Sequence, residues 1–208
     1  MRFSKRSAYR YHVRVTRRRS TGTVRIIGGE FRRLQMPVAE VEGLRPTTDR
    51  VRETVFNWLD RYLPGAEVLD LFAGTGALGF EAISRGAKAL VAVEKNPTAV
   101  RMLRDNAAKL APERIEIVAA DARAWAERLA DRAFDVVFID PPFRDADAAE
   151  LCTLLLRQGW LAPDTVVYVE QSANNAAPAA APFVSNKEKT AGQVRYGLYS
   201  VEREHHDE

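Results

Sequence analysis

The 208-residue chain has one cysteine, Cys152, so it can form no internal disulfide. That fits a reducing compartment and leads us to expect a cytoplasmic protein. Cys152 sits in the apolar helical stretch LCTLLL, a setting that predicts core packing rather than catalysis. There are only three histidines, and no Cys/His spacing of the zinc type occurs, so no metal is expected. His205 and His206 end a polar terminus and read as solvent-exposed. No uninterrupted apolar run approaches the length of a bilayer span, and no solenoid repeat is present.

Acid is also missing from the start of the chain. Eight Lys/Arg precede Ser20, among them Arg17, Arg18 and Arg19, and the first acidic residue is Glu30. Tyr9, Tyr11 and His12 are interleaved with these cations. Three readings fit: an arm that neutralises phosphates, an Arg-rich transit peptide, or a solvated tail. No apolar h-region follows, so a secretory signal is not expected.

After residues 1–22, the pattern becomes structured. TVRIIGG (Thr23 to Gly29) reads as a strand, with Phe31 to Val38 returning as its partner. In LRPTTDRVRETVFNWLDRYL, Thr47 or Thr48 can cap a helix, and Val51, Val55, Trp58, Leu59 and Tyr62 recur at helical spacing. Pro64-Gly65 closes this N-terminal extension, residues 23–64. From residue 65 to 208, short apolar runs alternate with helices: AEVLDLF, ALVAVE, IEIVAA, FDVVFID and TVVYVEQ. Nearly continuous apolar strands separated by helices predict a parallel sheet covered on both faces. After the low-complexity stretch Ser172 to Pro182, FVSNKEKTAGQVRYGLYSVER predicts a terminal hairpin with GQ at or near its turn. The fold class is therefore α/β with a mixed, mostly parallel sheet.

LDLFAGTGALGFEA carries Gly74, Gly76 and Gly79 between a strand and a helix, with Glu94 ending the next strand. Alone, this G-x-G-x-x-G equally describes a dinucleotide-binding oxidoreductase. Asp70 separates the two readings. A carboxylate beside a pyrophosphate would repel it, whereas it suits a ligand with an amino group or a sulfonium, and S-adenosylmethionine carries both. The pattern D-x-F-A-G-x-G resembles the first motif of the Rossmann-like methyltransferases. That resemblance implies that Asp70, Ala73, Gly74 and Gly76 line the methionine part of the cofactor, with Phe72 and Thr75 beside them. It also implies that Glu94 accepts from the ribose hydroxyls, next to Lys95, and that Asp121-Ala122 reach the adenine edge. Asp121 is equally suited to cap the following helix.

VFIDPPFRD ends a core strand in Asp140, Pro141, Pro142 and Phe143. The prolines fix the backbone and donate nothing, so nearby carbonyls stay available as stiff acceptors. Phe143 adds a flat apolar face. Such a slot can stack a planar ring and accept from an amino group at its edge, with Asp140 placed to take a proton. The base must be flipped out or single-stranded. DPPF resembles the D/N-P-P-Y/F signature of methyltransferases acting on adenine N6, cytosine N4 or guanine N2.

RIIGGEFRRLQMPV, GLRPTTDRVRETVFNWL, LDLFAGTGALGFEAISRGA, FIDPPF and AGQVRYGLY together resemble the RsmD-type methyltransferases, which modify guanine N2 of bacterial 16S ribosomal RNA. The resemblance runs from about Val24 to about Arg203. It implies a Rossmann-like fold with a seven-stranded, mostly parallel sheet, an antiparallel C-terminal hairpin, and S-adenosylmethionine as methyl donor. It places the target guanine against Asp140 to Phe143, with Asp140 also touching the cofactor. Arg45, Thr47, Arg50 and Arg52 are expected at the cofactor and substrate mouth. The expected partner is 16S rRNA or an assembling 30S subunit, bound by a monomer. An adenine-N6 methyltransferase using the same slot, an oxidoreductase, and a non-catalytic RNA-binding protein are the competing readings.

Overall fold

The structure is a computed structural model that describes residues 22–39, 49–142, 147–175 and 182–202. Strands β1 (Gly22–Arg25) and β2 (Gln35–Val38) pair antiparallel, as the hydrophobic pattern implies. β1 stops short of Gly29 because the next donors go elsewhere. Ile27 and Gly28 donate their N–H groups to the Glu81 carboxylate at 2.7 and 2.8 Å, off the strand ladder. Helix α1 (Asp49–Leu59) follows. It ends before Tyr62, whose N–H closes a turn onto Leu59.

The alternating units then run β3 (Glu67–Asp70), α2 (Ala77–Ser84), β4 (Ala89–Glu94), α3 (Pro97–Leu110), β5 (Ile115–Ala119), α4 (Ala122–Ala126), β6 (Phe134–Ile139), α5 (Ala148–Gln158) and β7 (Leu161–Ser172). Strands β8 (Phe183–Ala191) and β9 (Val194–Val201) complete the chain's order, joined by Gly192 and Gln193. Gly192 has φ of 62°, the left-handed conformation such a tight turn requires.

Together β3–β9 form one seven-stranded sheet in the order β5-β4-β3-β6-β7-β9-β8. β3 through β7 pair parallel, and β9 runs antiparallel between β7 and β8. This is the Rossmann-like methyltransferase architecture with its mixed C-terminal edge. β7 starts earlier than its apolar run suggests. Leu161 already pairs with Phe134, and the register then shifts before Val136 meets Val166. Pro163 sits in that irregularity, where no ladder N–H is needed. The Thr165 hydroxyl secures it, accepting from Ala162 N at 2.7 Å and donating to Phe134 O at 2.6 Å.

Alternation along the strands separates two cores. On one face Val68, Ala92, Val136, Phe138 and Tyr168 pack with α1, α2, α3 and the β1–β2 hairpin. On the other Leu69, Val91, Val137, Ile139 and Val167 pack with α4 and α5. There Trp125 and Trp160 stack at 4.2 Å, and the Trp160 indole N–H is shared by Ala126 O and Arg128 O. Cys152 is fully buried in this second core, and burial pushes its thiol up to about 12, so it stays a thiol. Among the described residues, no helix is long and apolar enough to cross a membrane.

Candidate active site

The sheet order places β3 beside β6, the point where the chain stops building toward β5 and starts building toward β8. Ligands of open α/β sheets bind beyond the strand tips at this reversal. Leu71 N donates to Phe138 O at 3.1 Å, so the two strands stay together up to their ends. Asp70 pairs with Phe138, two residues before Asp140. The tips of the first and fourth parallel strands therefore converge, carrying one carboxylate each on the same face of the sheet.

Asp70 is almost completely buried at 2 % exposure. Its Oδ2 accepts from Gly79 N at 3.0 Å. Burial, with the nearby charge of Glu94 adding to it, pushes this carboxyl up from 3.8 to about 7, while hydrogen bonds from Gly79 and Phe72 pull the other way. A buried acid in that state favours a cationic neighbour, which would restore its ionised form. Gly79 is a contributor that the site expected from the motifs does not include. A Cβ there would lie 2.8 Å from Leu90 and 3.1 Å from the Asp70 carboxylate. The third glycine thus brings the helix against the sheet and supplies the Asp70 donor.

The turn between β3 and α2 is folded tightly. Gly74 has φ of 51° and Gly76 φ of 79°, and a Cβ on Gly76 would meet the Phe80 ring at 2.3 Å. Ala73, buried, donates to Val93 O, and Phe72 and Thr75 are half-buried beside it. Glu94 closes the other side of this turn. Its Oε2 accepts from Gly74 N at 2.9 Å and its Oε1 from Asn96 N at 2.7 Å. Glu94 therefore holds the glycine turn and the start of α3.

Asp121 caps α4, its Oδ1 accepting from Arg123 N and Ala124 N, and Lys95 Nζ lies 3.9 Å from its Oδ2. Ala122 is buried at the first position of that helix. Beside Lys95 and Asp121 opens a cleft of about 380 Å³, lined also by Pro97, Val100, Arg101 and Arg104. Asp140 is half-buried, Pro141 buried and Pro142 exposed. Phe143 lies outside the described residues, as do Arg45, Thr47 and the arm residues Arg17, Arg18 and Arg19. Among the described residues, no three acids, histidines or cysteines gather closely enough to hold a metal ion.

Two arginines expected together at the mouth are in different surroundings. Arg50 is exposed on the first turn of α1. Arg52 is buried at 2 %, donating to Asp49 Oδ1 at 2.7 Å and to Arg25 O at 2.9 Å. Its Nη1 lies 3.9 Å from the fully buried Glu81. A guanidinium so enclosed ties the hairpin to α1 and cannot reach an outside phosphate without leaving those partners. Helical spacing gave no sign of this, because an arginine at that position reads as solvated.

The family profile described as Conserved hypothetical protein 95 matches residues 24–200. The chain is 43% identical over 185 residues to ribosomal RNA small subunit methyltransferase D of Escherichia coli (strain K12), covering 88% of this chain and 92% of that protein. It is 41% identical over 181 residues to the protein of the same name in Haemophilus influenzae, covering 86% and 94%. The solved structure of yhhF from Escherichia coli, a candidate methyltransferase, superposes with a TM-score of 0.80 at 39% identity, over 88% of this chain and all of that one. With the convergent carboxylates, the glycine turn and this extent of likeness, the chain belongs to the Conserved hypothetical protein 95 family, the RsmD-type methyltransferases.

Proposed function

We propose that this protein methylates the exocyclic N2 of a guanine in the RNA of the bacterial small ribosomal subunit, using S-adenosylmethionine, in the cytoplasm. The observation that carries the reading is the adjacency of two tips: a buried Asp70 at the end of β3, and Asp140 followed by two prolines at the end of β6. The name shared by the relatives, ribosomal RNA small subunit methyltransferase D, supports the RNA class.

The residues fit the cofactor by their chemistry. Asp70, held up at about 7 by burial, suits a cationic amino group or sulfonium. Glu94 offers carboxylate oxygens for ribose hydroxyls, Lys95 and Asp121 border the cleft beyond it, and Ala122 follows at the start of α4. Phe72, Ala73, Gly74, Thr75 and Gly76 bring backbone close to the methionine part. When bound, the cofactor supplies an electrophilic methyl group.

The chain's own part is to prepare the nitrogen. An amine on a base is a weak nucleophile because its lone pair is delocalised into the ring. Asp140 accepts from one N–H, which favours a pyramidal nitrogen with its lone pair directed across the crevice. Pro141 and Pro142 hold that acceptor stiffly, so orientation is fixed before reaction. Phe143 stacks on the base, and Asp140 takes the proton as it leaves. Arg45, Thr47 and Arg50 bring cationic and polar groups to the substrate side.

The test is transfer of labelled methyl from S-adenosylmethionine to 30S particles and to stripped rRNA, followed by mass analysis of the nucleosides. The wild type should yield N2-methylguanosine, and Asp140→Ala should lose transfer. N6-methyladenosine as the product, or full activity in that variant, would overturn the reading.

A further inference from the structure

β7 carries one more buried acid level with the row of strand tips. Glu170 is 7 % exposed and lies one residue beyond the paired Ile139 and Val169, level with Asp140. Strand alternation puts it on the same face as Tyr168, Phe138, Asp140 and Asp70. The Tyr168 hydroxyl donates to Glu170 Oε2 at 2.7 Å. Burial and then the charges of Glu170 and Asp140 hold that hydroxyl well above the ordinary tyrosine range, so it stays a donor. Both carboxylates thus act on one buried hydroxyl. On the far side Tyr196 pairs with Glu170 across the antiparallel ladder, and Trp58 stacks on Tyr196 at 5.6 Å. The side chain is fixed by its own strand, by tyrosines and by packing.

We infer that Glu170 is a specificity-determining residue, a second carboxylate that accepts from N1–H of the target base while Asp140 accepts from its exocyclic amine. This rests on the guanine reading above and extends it to the base edge. Guanine presents adjacent donors, N1–H and the 2-amino group. Two neighbouring acceptors, Asp140 just past β6 and Glu170 level with it on β7, match that pair. Adenine and cytosine carry an acceptor nitrogen beside their exocyclic amine. A carboxylate facing that lone pair would be repelled, and a buried, unmatched polar group is costly. The slot motif alone serves all three bases, so discrimination has to come from a group such as this one.

The test uses the full-length enzyme and reconstituted small-subunit RNA carrying guanine or 2-aminopurine at the position mapped as methylated. 2-Aminopurine keeps the 2-amino group and lacks N1–H. The wild type should prefer guanine in kcat/KM by roughly tenfold to a hundredfold, the range of a charge-assisted hydrogen bond. Glu170→Gln should reduce that preference to about threefold or less, because its amide can either accept from N1–H or donate to the bare nitrogen. Tyr168→Phe, a milder change that loosens the hold on the Glu170 side chain, should shift the ratio in the same direction by less. Absence of preference in the wild type, or variants that slow both bases equally, would overturn the role of Glu170. Failure of the wild type to methylate any guanine N2 would instead overturn the function proposed above, and it shows before any variant is made.

Discussion

Replacing Asp70 by Asn tests whether its burial serves a cationic ligand. Burial is the main cause that pushes this carboxyl up from 3.8 to about 7. Because the folded value is raised, its contribution to stability is fully present below 3.8 and is lost as pH climbs through about 7. The loss amounts to about 4 kcal/mol by neutral pH. A ligand whose cation faces the ionised carboxylate offsets that cost, so binding should release a proton. Affinity then follows the ionised fraction: roughly tenfold weaker at about pH 6 than at about pH 8, and roughly a hundredfold weaker at about pH 5. A ligand α-amino group stays protonated over most of this range. Titration calorimetry with S-adenosylmethionine, repeated in buffers of different ionisation enthalpy, measures both the affinity and the proton released. Asp70→Asn should flatten the profile and cost roughly tenfold to a hundredfold in affinity at about pH 8, the value of one charge-assisted hydrogen bond. A wild-type affinity that does not change between about pH 5 and pH 7, or an Asn variant with the same profile, would refute the reasoning.

Arg52→Ala should destabilise the fold by about 3 kcal/mol in urea unfolding, because it removes a buried guanidinium that neighbours the fully buried Glu81 and donates to Asp49 and Arg25 O. If Arg52 instead binds RNA, that variant would keep its stability and bind RNA more weakly. Asp49, held below the ordinary carboxylate range chiefly by its hydrogen bond from Arg52, should titrate closer to its usual value in the same variant, as NMR would detect. Deleting residues 1–22 should weaken RNA binding and flatten its dependence on salt, by about 0.7–0.9 in slope for each phosphate that the arm no longer neutralises. An unchanged slope would show that the eight basic residues neutralise none.

Much of the sheet can be read from the sequence because its central strands are buried on both faces. VLD, ALVAVE and FDVVFI are short apolar runs for that reason, and the parallel ladder follows from the helices between them. β8 is different. Its residues after Phe183 are exposed, with no apolar face to betray a strand, and it pairs along β9 with Phe183 anchored in the second core. The GQ turn and the apolar run in VRYGLYSV identify that hairpin instead. At the site, the motif acids are visible because glycines and prolines mark their turns. Glu81 and Glu170 are not. Glu81 sits inside a helix, where an acid reads as solvated, yet it is fully buried and receives Ile27 N, Gly28 N and Arg85 Nε.

Glu170 lies just past the last β6 pairing of a strand whose neighbours depend on sheet order, and the sequence of a parallel strand does not state which strand lies beside it. Only the order β3-β6-β7 turns three distant acids, Asp70, Asp140 and Glu170, into one row. A fourth, Glu94, extends the row through β4. Four carboxylates on adjacent tips would repel one another if all faced an empty, dry crevice. The fold limits this by supplying donors, among them Gly79 N for Asp70, Gly74 N and Asn96 N for Glu94, and the Tyr168 hydroxyl for Glu170. What such a row selects is a pair of ligands rich in positive charge and N–H donors. A sulfonium compound beside a guanine edge meets that demand, whereas a dinucleotide pyrophosphate would add two further negative charges to the same crevice.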